Sequence, residues 1–246
     1  MEREKPAFDD PFEIRICRAT SMHTARIATL LEPFLQHPLS ESQLNQISIY
    51  IDLLLHWNAR INLTAIREEE EMVTRHFGES LFMASHLFPL SLDSETEKNR
   101  QPGVSAPSAS PRVIDIGSGA GFPGLPLKLW CPQIQLVLIE SNQKKVAFLR
   151  EVARALAFTN IDVIPGRAEL LVRTPDFPKA DVVTLRAVEH FELILAQAVK
   201  FLADQGRMAV LIGSAQLPNL PNDLQWRLPI PVPNSETRVL SLGVIG

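Results

Sequence analysis

Cysteine is scarce in this 246-residue chain: Cys17 and Cys131 stand far apart, with no CxxC and no histidine pair beside either. A disulfide framework and a zinc site are both excluded as organising principles, no metal-ligating cluster is visible elsewhere, and the cytoplasm is the expected compartment. Long apolar runs are missing too. No stretch approaches the roughly 18 residues of a membrane span, and the opening MEREKPAFDD lacks the apolar run and small-residue cleavage site of an export signal, so no membrane partner is expected. Nor is there an excess of positive charge: 24 Lys and Arg against 28 Asp and Glu leave a net charge of −4. Such a chain does not coat nucleic acid by bulk charge, and a nucleic-acid partner has to be met by a local basic face. Internal repeats are absent as well, which excludes solenoids and propellers.

What is present falls into three parts. Residues 19–88 read as helices. Ser40 and Gln43 have the spacing of a capping box, after which Leu44, Ile47, Tyr50, Ile51, Leu54 and Leu55 recur at helical intervals. A second helix is predicted from the acidic run Glu68–Glu71, where negative charge suits a helix start, through Met72, His76, Leu81 and Phe82. Residues 91–111 are rich in Ser, Pro and charge and form a connector. Beyond them strands at VIDI, QLVLIE, IDVIP, DVVTL and MAVLIG alternate with helices such as 142–157 and 189–203. That alternation implies a mostly parallel sheet covered on both faces. The tail, WRLPIPV, PNSE, then TRVLSLGVI, reads as an antiparallel hairpin at the sheet edge, where prolines are tolerated. The expected division is a helical N-terminal extension over 1–90, the connector over 91–111 and an α/β domain over 112–246.

The richest signal is VIDIGSGAGFPG, residues 113–124. Read as GxGxxG from Gly119, with Glu140 about 20 residues on to hold a ribose hydroxyl pair, it suggests a nicotinamide dinucleotide. Read as Asp115, Gly117, Gly119 and Gly121 at alternate positions, it puts a carboxylate at the end of a buried strand, which requires a cationic or donor partner. The amino group of S-adenosyl-L-methionine is such a partner, whereas a pyrophosphate is repelled. A plain strand-to-helix turn with Pro123 near the first helical position accounts for the glycines but leaves Asp115 and Glu140 unexplained.

Five stretches in order, WNARINLTAIREEEEMVTRHF (57–77), DIGSGAGFPGLPL (115–127), ESNQKKVAFLREV (140–152), PGRAE (165–169) and LRAV (185–188), together resemble the RsmG (GidB) family of bacterial ribosomal RNA methyltransferases. The resemblance implies a class I S-adenosylmethionine-dependent methyltransferase fold with a helical N-terminal extension. It also implies methylation of N7 of a guanine in 16S ribosomal RNA, free or in the small ribosomal subunit; the sequence is silent on oligomeric state, with a monomer favoured. Carried over by motif, the cofactor residues are Gly117, Phe122 closing over the ligand, Ala168 and Glu169 at the adenine, and Arg186. Asp115, Gly119 and Gly121 join them from the loop, and Glu140 from the end of the second strand. Asn62, Thr64, Arg75 and His76 lie in the family's N-terminal motifs, and Asn62, Arg75 and His76 are candidates for the RNA side.

Guanine N7 carries a free in-plane lone pair, so methylation there has no proton to remove and calls for alignment rather than a general base. A donor to the neighbouring O6 is the natural means of orienting the base, and Arg186, following the fourth strand, is the candidate catalytic residue. Arg167, Lys144 and Lys145 are candidates for RNA contact. In the fifth-strand motif Ile212 stands where the family carries a lysine, and Glu79 where an aspartate is usual. These departures leave three rivals: methylation of another RNA or of protein, an S-adenosylmethionine-binding chain without catalysis, and a nicotinamide oxidoreductase.

Overall fold

The computed structural model describes residues 22–89, 110–186 and 191–245. Cys17, nearly all of the connector and the first residues of the helix expected over 189–203 lie outside them.

The N-terminal helices are α1 (Thr24–Leu31), α2 (Glu41–Ile61), the single turn α3 (Glu69–Glu71) and α4 (Glu79–Leu87). At the start of α2 the predicted capping box is present: Ser40 Oγ accepts from Gln43 N while the Gln43 side chain accepts from Ser40 N. Ile47, Tyr50, Ile51 and Leu54 are buried along one face of that helix. The second predicted helix is continuous from α3 into α4, but its middle, Met72–Gly78, is wound as a π-helix. Nothing in the apolar periodicity announced this widened turn, which recurs at functional sites in other helices.

The α/β part runs β1 (Arg112–Ile116), α5 (Gly124–Trp130), β2 (Gln135–Glu140), α6 (Gln143–Ala155), β3 (Ile161–Pro165), α7 (Ala168–Leu171), β4 (Ala180–Arg186), α8 (Phe191–Ala198), β5 (Leu202–Gly213), β6 (Leu224–Trp226), β7 (Ile230–Pro231) and β8 (Arg238–Ile245). The strand order is β3-β2-β1-β4-β5-β8-β6, with β7 also paired to β8. The first five strands are parallel, and β8 runs antiparallel between β5 and β6. The tail is therefore not one hairpin. Its proline-rich half splits into two short strands, β6 and β7, and the partner strand is inserted beside β5 rather than left at the edge.

Alternate strand residues feed two cores. Val113, Leu136, Leu138, Val182 and Leu240 face the N-terminal helices with α5 and α6, whereas Ile114, Val137, Val183, Val210 and Val239 face α7 and α8. The N-terminal helices thus share one core with a sheet face, and Tyr50 of α2, 1% exposed, reaches the glycine loop, where its hydroxyl donates to Ala120 O at 2.5 Å. Among the described residues no helix is long and apolar enough to cross a membrane.

Candidate active site

Strand β1 has β2 on one side and β4 on the other, so the chain reverses its winding direction there; in open parallel sheets the crevice at the carboxyl ends of such strands binds ligands. A cavity of about 590 Å³ occupies that crevice. One wall is the loop after β1, where Gly117, Gly119 and Gly121 all have positive φ, a backbone shape that costs glycine little. A side chain at Gly119 would find its nearest neighbour, Gly117 O, 3.8 Å away, so the space beside it belongs to the cavity. Glu140, from the end of β2, holds this loop: its Oε2 accepts from Gly119 N at 2.8 Å and its Oε1 from Asn142 N at 2.7 Å. Each oxygen retains a lone pair for a ligand donor. Asn142 in turn caps α6 by accepting from the Lys144 and Lys145 amides.

The structure brings Gly117, Gly119, Phe122, Glu140, Ala168 and Glu169 onto this one cavity, and adds Arg167, Lys145, His76 and Arg186. Arg167 is largely exposed and pairs with Glu169 at 3.5 Å. Five predicted residues do not line the cavity: Arg75 lies at a smaller adjoining cavity, and the other four are placed away from both. Lys144 is exposed and does not line the cavity. Asn62 ends α2 in the left-handed conformation and accepts from Arg67 at 3.1 Å. Gly121 packs under Tyr50 and Leu125 and does not line the cavity. Asp115 is fully buried behind the loop: Thr184, opposite it on β4, donates to Oδ1 at 2.8 Å, and Gly124 N donates to Oδ2 at 3.2 Å. The donors that a buried carboxylate requires are therefore in the protein itself. Asp115 itself does not line the cavity, and its carboxylate pins the loop to the start of α5.

Phe122 lines the cavity. Its ring is sandwiched between Tyr50, stacked at 5.3 Å, and His76, stacked at 4.6 Å. His76 sits in the π-helical turn, with Nε2 2.8 Å from Thr64 Oγ1 and Nδ1 3.3 Å from Arg186. Arg186, at the end of β4 with its side chain 10% exposed, also donates to Arg75 O, His76 O and Ser80 Oγ and forms an ion pair with Glu79 at 3.2 Å. Glu79 is the hub of the cluster, meeting Arg75 at 3.8 Å and Arg238 of β8 in closer contact. Burial raises the Glu79 carboxyl, and the guanidiniums of Arg186, Arg238 and Arg75 oppose that by favouring the carboxylate. A second cavity, of about 260 Å³, adjoins the first across Arg186 and His76 and is lined by Arg75, Arg238, Glu79, Phe191 and Ile212 among others. Cations at this end come from Arg75, Arg186 and Arg238, the last paired in register with Gly213, which follows Ile212.

Two buried groups set an acid response. Burial, then Arg186, Arg75 and Arg238, pull His76 from 6.5 down to about 3. As pH falls below 6.5 the unfolded chain takes a proton that the folded chain refuses, and stability is lost by about 2 kcal/mol at about pH 5. Burial, countered by hydrogen bonds from Thr184, Ser118 and Gly124, raises Asp115 from 3.8 to about 6. Here the folded chain protonates first, so acid stabilises it by about 1.4 kcal/mol at the same pH. The two largely offset. In His76→Gln only the second remains of this pair, and the change in urea-unfolding free energy between about pH 7.5 and about pH 5 is expected to be more favourable by about 2 kcal/mol than in the unaltered chain. Equal pH dependence in both chains would remove His76 from this account.

A parallel sheet with an antiparallel strand inserted beside β5, and a glycine-loop crevice at its switch point, define a methyltransferase-type α/β protein of class I. Residues 43–225 match the GidB family model, described as rRNA small subunit methyltransferase G, and the chain belongs to that family. A relative named ribosomal RNA small subunit methyltransferase G from Caldanaerobacter subterraneus subsp. tengcongensis is 41% identical over 165 residues, 67% of this chain and 62% of the relative. Proteins of the same name from Desulfitobacterium hafniense and Neisseria meningitidis serogroup B are 34% identical over 78% of this chain and 72% of the relative, and 31% identical over 83% and 90%. The chain thus spans just under two thirds of the first of these relatives and most of the third.

Proposed function

We propose that this chain transfers the methyl group of S-adenosylmethionine to N7 of a guanine in 16S ribosomal RNA, with RNA or the small subunit as its partner. The observation that supports the reading is the pair of adjoining cavities with Arg186 in the wall between them: a larger one lined by the glycine loop and Glu140, and a smaller, arginine-lined one beside it.

The larger cavity fits the cofactor. Backbone at Gly117 and Gly119 can approach a ligand closely, the Glu140 carboxylate suits a ribose hydroxyl pair, and the Ala168–Glu169 turn suits adenine. A dinucleotide fits less well, because its pyrophosphate would seek the first amides of α5, and the first of them, Gly124 N, is already bonded to the buried Asp115 carboxylate. When bound, S-adenosylmethionine supplies a methyl group on a positively charged sulfonium. The chain's own task is to bring guanine N7 into line, with no proton to move. Arg186 and Arg238 offer donors for O6, and Phe191 an apolar face for the base. An acidic protein thereby meets RNA through a local basic patch.

Small subunits and 16S RNA from cells lacking the modification, incubated with the chain and labelled S-adenosylmethionine, are expected to yield 7-methylguanosine on nucleoside mass spectrometry. Labelling of another nucleoside or of protein, or none with cofactor binding intact, would overturn the reading.

A further inference from the structure

His76 is bonded to Thr64, a residue given no role above. Arginine can only donate, so the contact from Arg186 to His76 Nδ1 at 3.3 Å makes Nδ1 an acceptor. The ring proton is then on Nε2, and the 2.8 Å contact to Thr64 Oγ1 is a bond donated by His76. Ile66 N donates to the same oxygen at 3.2 Å. Both lone pairs of the Thr64 hydroxyl are occupied, and its one proton is left to give. Thr64 lines the larger cavity beside Leu63 and is joined through His76 to Arg186 at the end of β4, with β1 and β2 between it and the β3 side that carries Ala168 and Glu169. A ligand meeting Thr64 must therefore bring an acceptor.

With adenine at the Ala168 end and ribose at Glu140, the methionine part of the cofactor falls at the Thr64 end. The charge there favours an anion: Arg186 on this wall and Arg75 and Arg238 of the adjoining cavity outnumber Glu79 and Glu71, the carboxylates that pair with them. We propose that the Thr64 hydroxyl, locked by His76 as a donor, hydrogen-bonds the methionine carboxylate of bound S-adenosylmethionine, with His76 as the positioning residue. This rests on the cofactor reading above.

The test is calorimetric and needs no turnover. S-adenosylhomocysteine, which carries the amino-acid carboxylate, and methylthioadenosine, which lacks the amino-acid group, are titrated into the unaltered chain, Thr64→Val and Thr64→Ser. Valine keeps the shape and removes the proton; serine restores it. Thr64→Val is expected to weaken S-adenosylhomocysteine by about 10- to 100-fold, the range of a hydrogen bond to a charged group. Methylthioadenosine, which also reports that each variant is folded, should bind all three chains alike, and Thr64→Ser should recover most of the lost affinity. Equal loss for both ligands, or S-adenosylhomocysteine affinity within about twofold of the unaltered chain, would overturn the assignment while leaving the cofactor reading in place. Failure of the unaltered chain to bind either ligand would overturn both.

Discussion

Gly121→Val is expected to destabilise the chain by more than about 3 kcal/mol and to abolish S-adenosylhomocysteine binding in calorimetry, because the residue holds the loop's packing rather than the ligand. Three costs fall together. With φ at +90°, Gly121 occupies a backbone region that a β-branched residue reaches only at about 1–3 kcal/mol. A Cβ there would sit 2.5 Å from Leu125 Cδ1 and closer still to the Tyr50 hydroxyl. Neither neighbour can yield cheaply: Leu125 is 1% exposed, and the Tyr50 ring is stacked on Phe122 and edge-on to Phe77 at 5.1 Å. Overpacking of this kind costs about 1–3 kcal/mol. Displacing Tyr50 also breaks its bond to Ala120 O and strands a buried carbonyl, at about 1–3 kcal/mol more. Gly119→Ala is the informative contrast. Its φ of +56° is strained for alanine, but the nearest atom to a new Cβ is 3.8 Å away, so the chain should fold and lose affinity alone. Near-native urea stability for Gly121→Val would show that the loop is looser than this packing implies.

The two glycines look alike in sequence, and both read as cofactor residues. What separates them is Tyr50, contributed by a helix 70 residues earlier in the chain. Local pattern carried much of the architecture: the short apolar runs in VIDI and QLVLIE marked buried strands, and the Ser40–Gln43 box marked the start of α2. The same local logic identified Asp115 as a buried carboxylate in need of donors. It could not identify the donors, because Thr184 comes opposite Asp115 only through sheet register. A signal was present, since Thr184 is the lone hydroxyl in the otherwise apolar core of DVVTL. The site's electrostatics were the least legible. Ile212 in place of a lysine read as a missing cation, while Arg238 lies on a tail strand whose insertion beside β5 no local pattern announces. Glu79 read as a family departure and proved to be the carboxylate that gathers three arginines.

Arg186→Ala should lower methyl transfer by at least about 100-fold, the usual effect of removing one positioned donor from a reacting centre. It should also cost about 3–5 kcal/mol of stability, as expected when one partner of a buried ion pair is removed. The stability cost follows from what the guanidinium holds. It reaches from β4 to the π-helical turn, capping Arg75 O and His76 O, bonding His76 Nδ1 and pairing with Glu79. Burial pulls its pKa down to about 10, which leaves it charged at neutral pH. Alanine removes that donor from Arg75 O and its counter-charge from Glu79, whereas His76 O keeps Ser80 Oγ; His76 also loses both the bond that orients it and the largest charge opposing its protonation. Lysine separates the two functions. Its compact ammonium can replace the charge beside Glu79 but cannot span two carbonyls, an imidazole and a carboxylate as the planar fork does. Arg186→Lys should therefore recover much of the stability and little of the activity. Melting curves, S-adenosylhomocysteine titrations and initial rates on unmodified small subunits distinguish the cases. If the lysine chain recovers rate in proportion to stability, Arg186 serves only to dock the N-terminal helices on the sheet, and the donor to guanine O6 must be sought in Arg238.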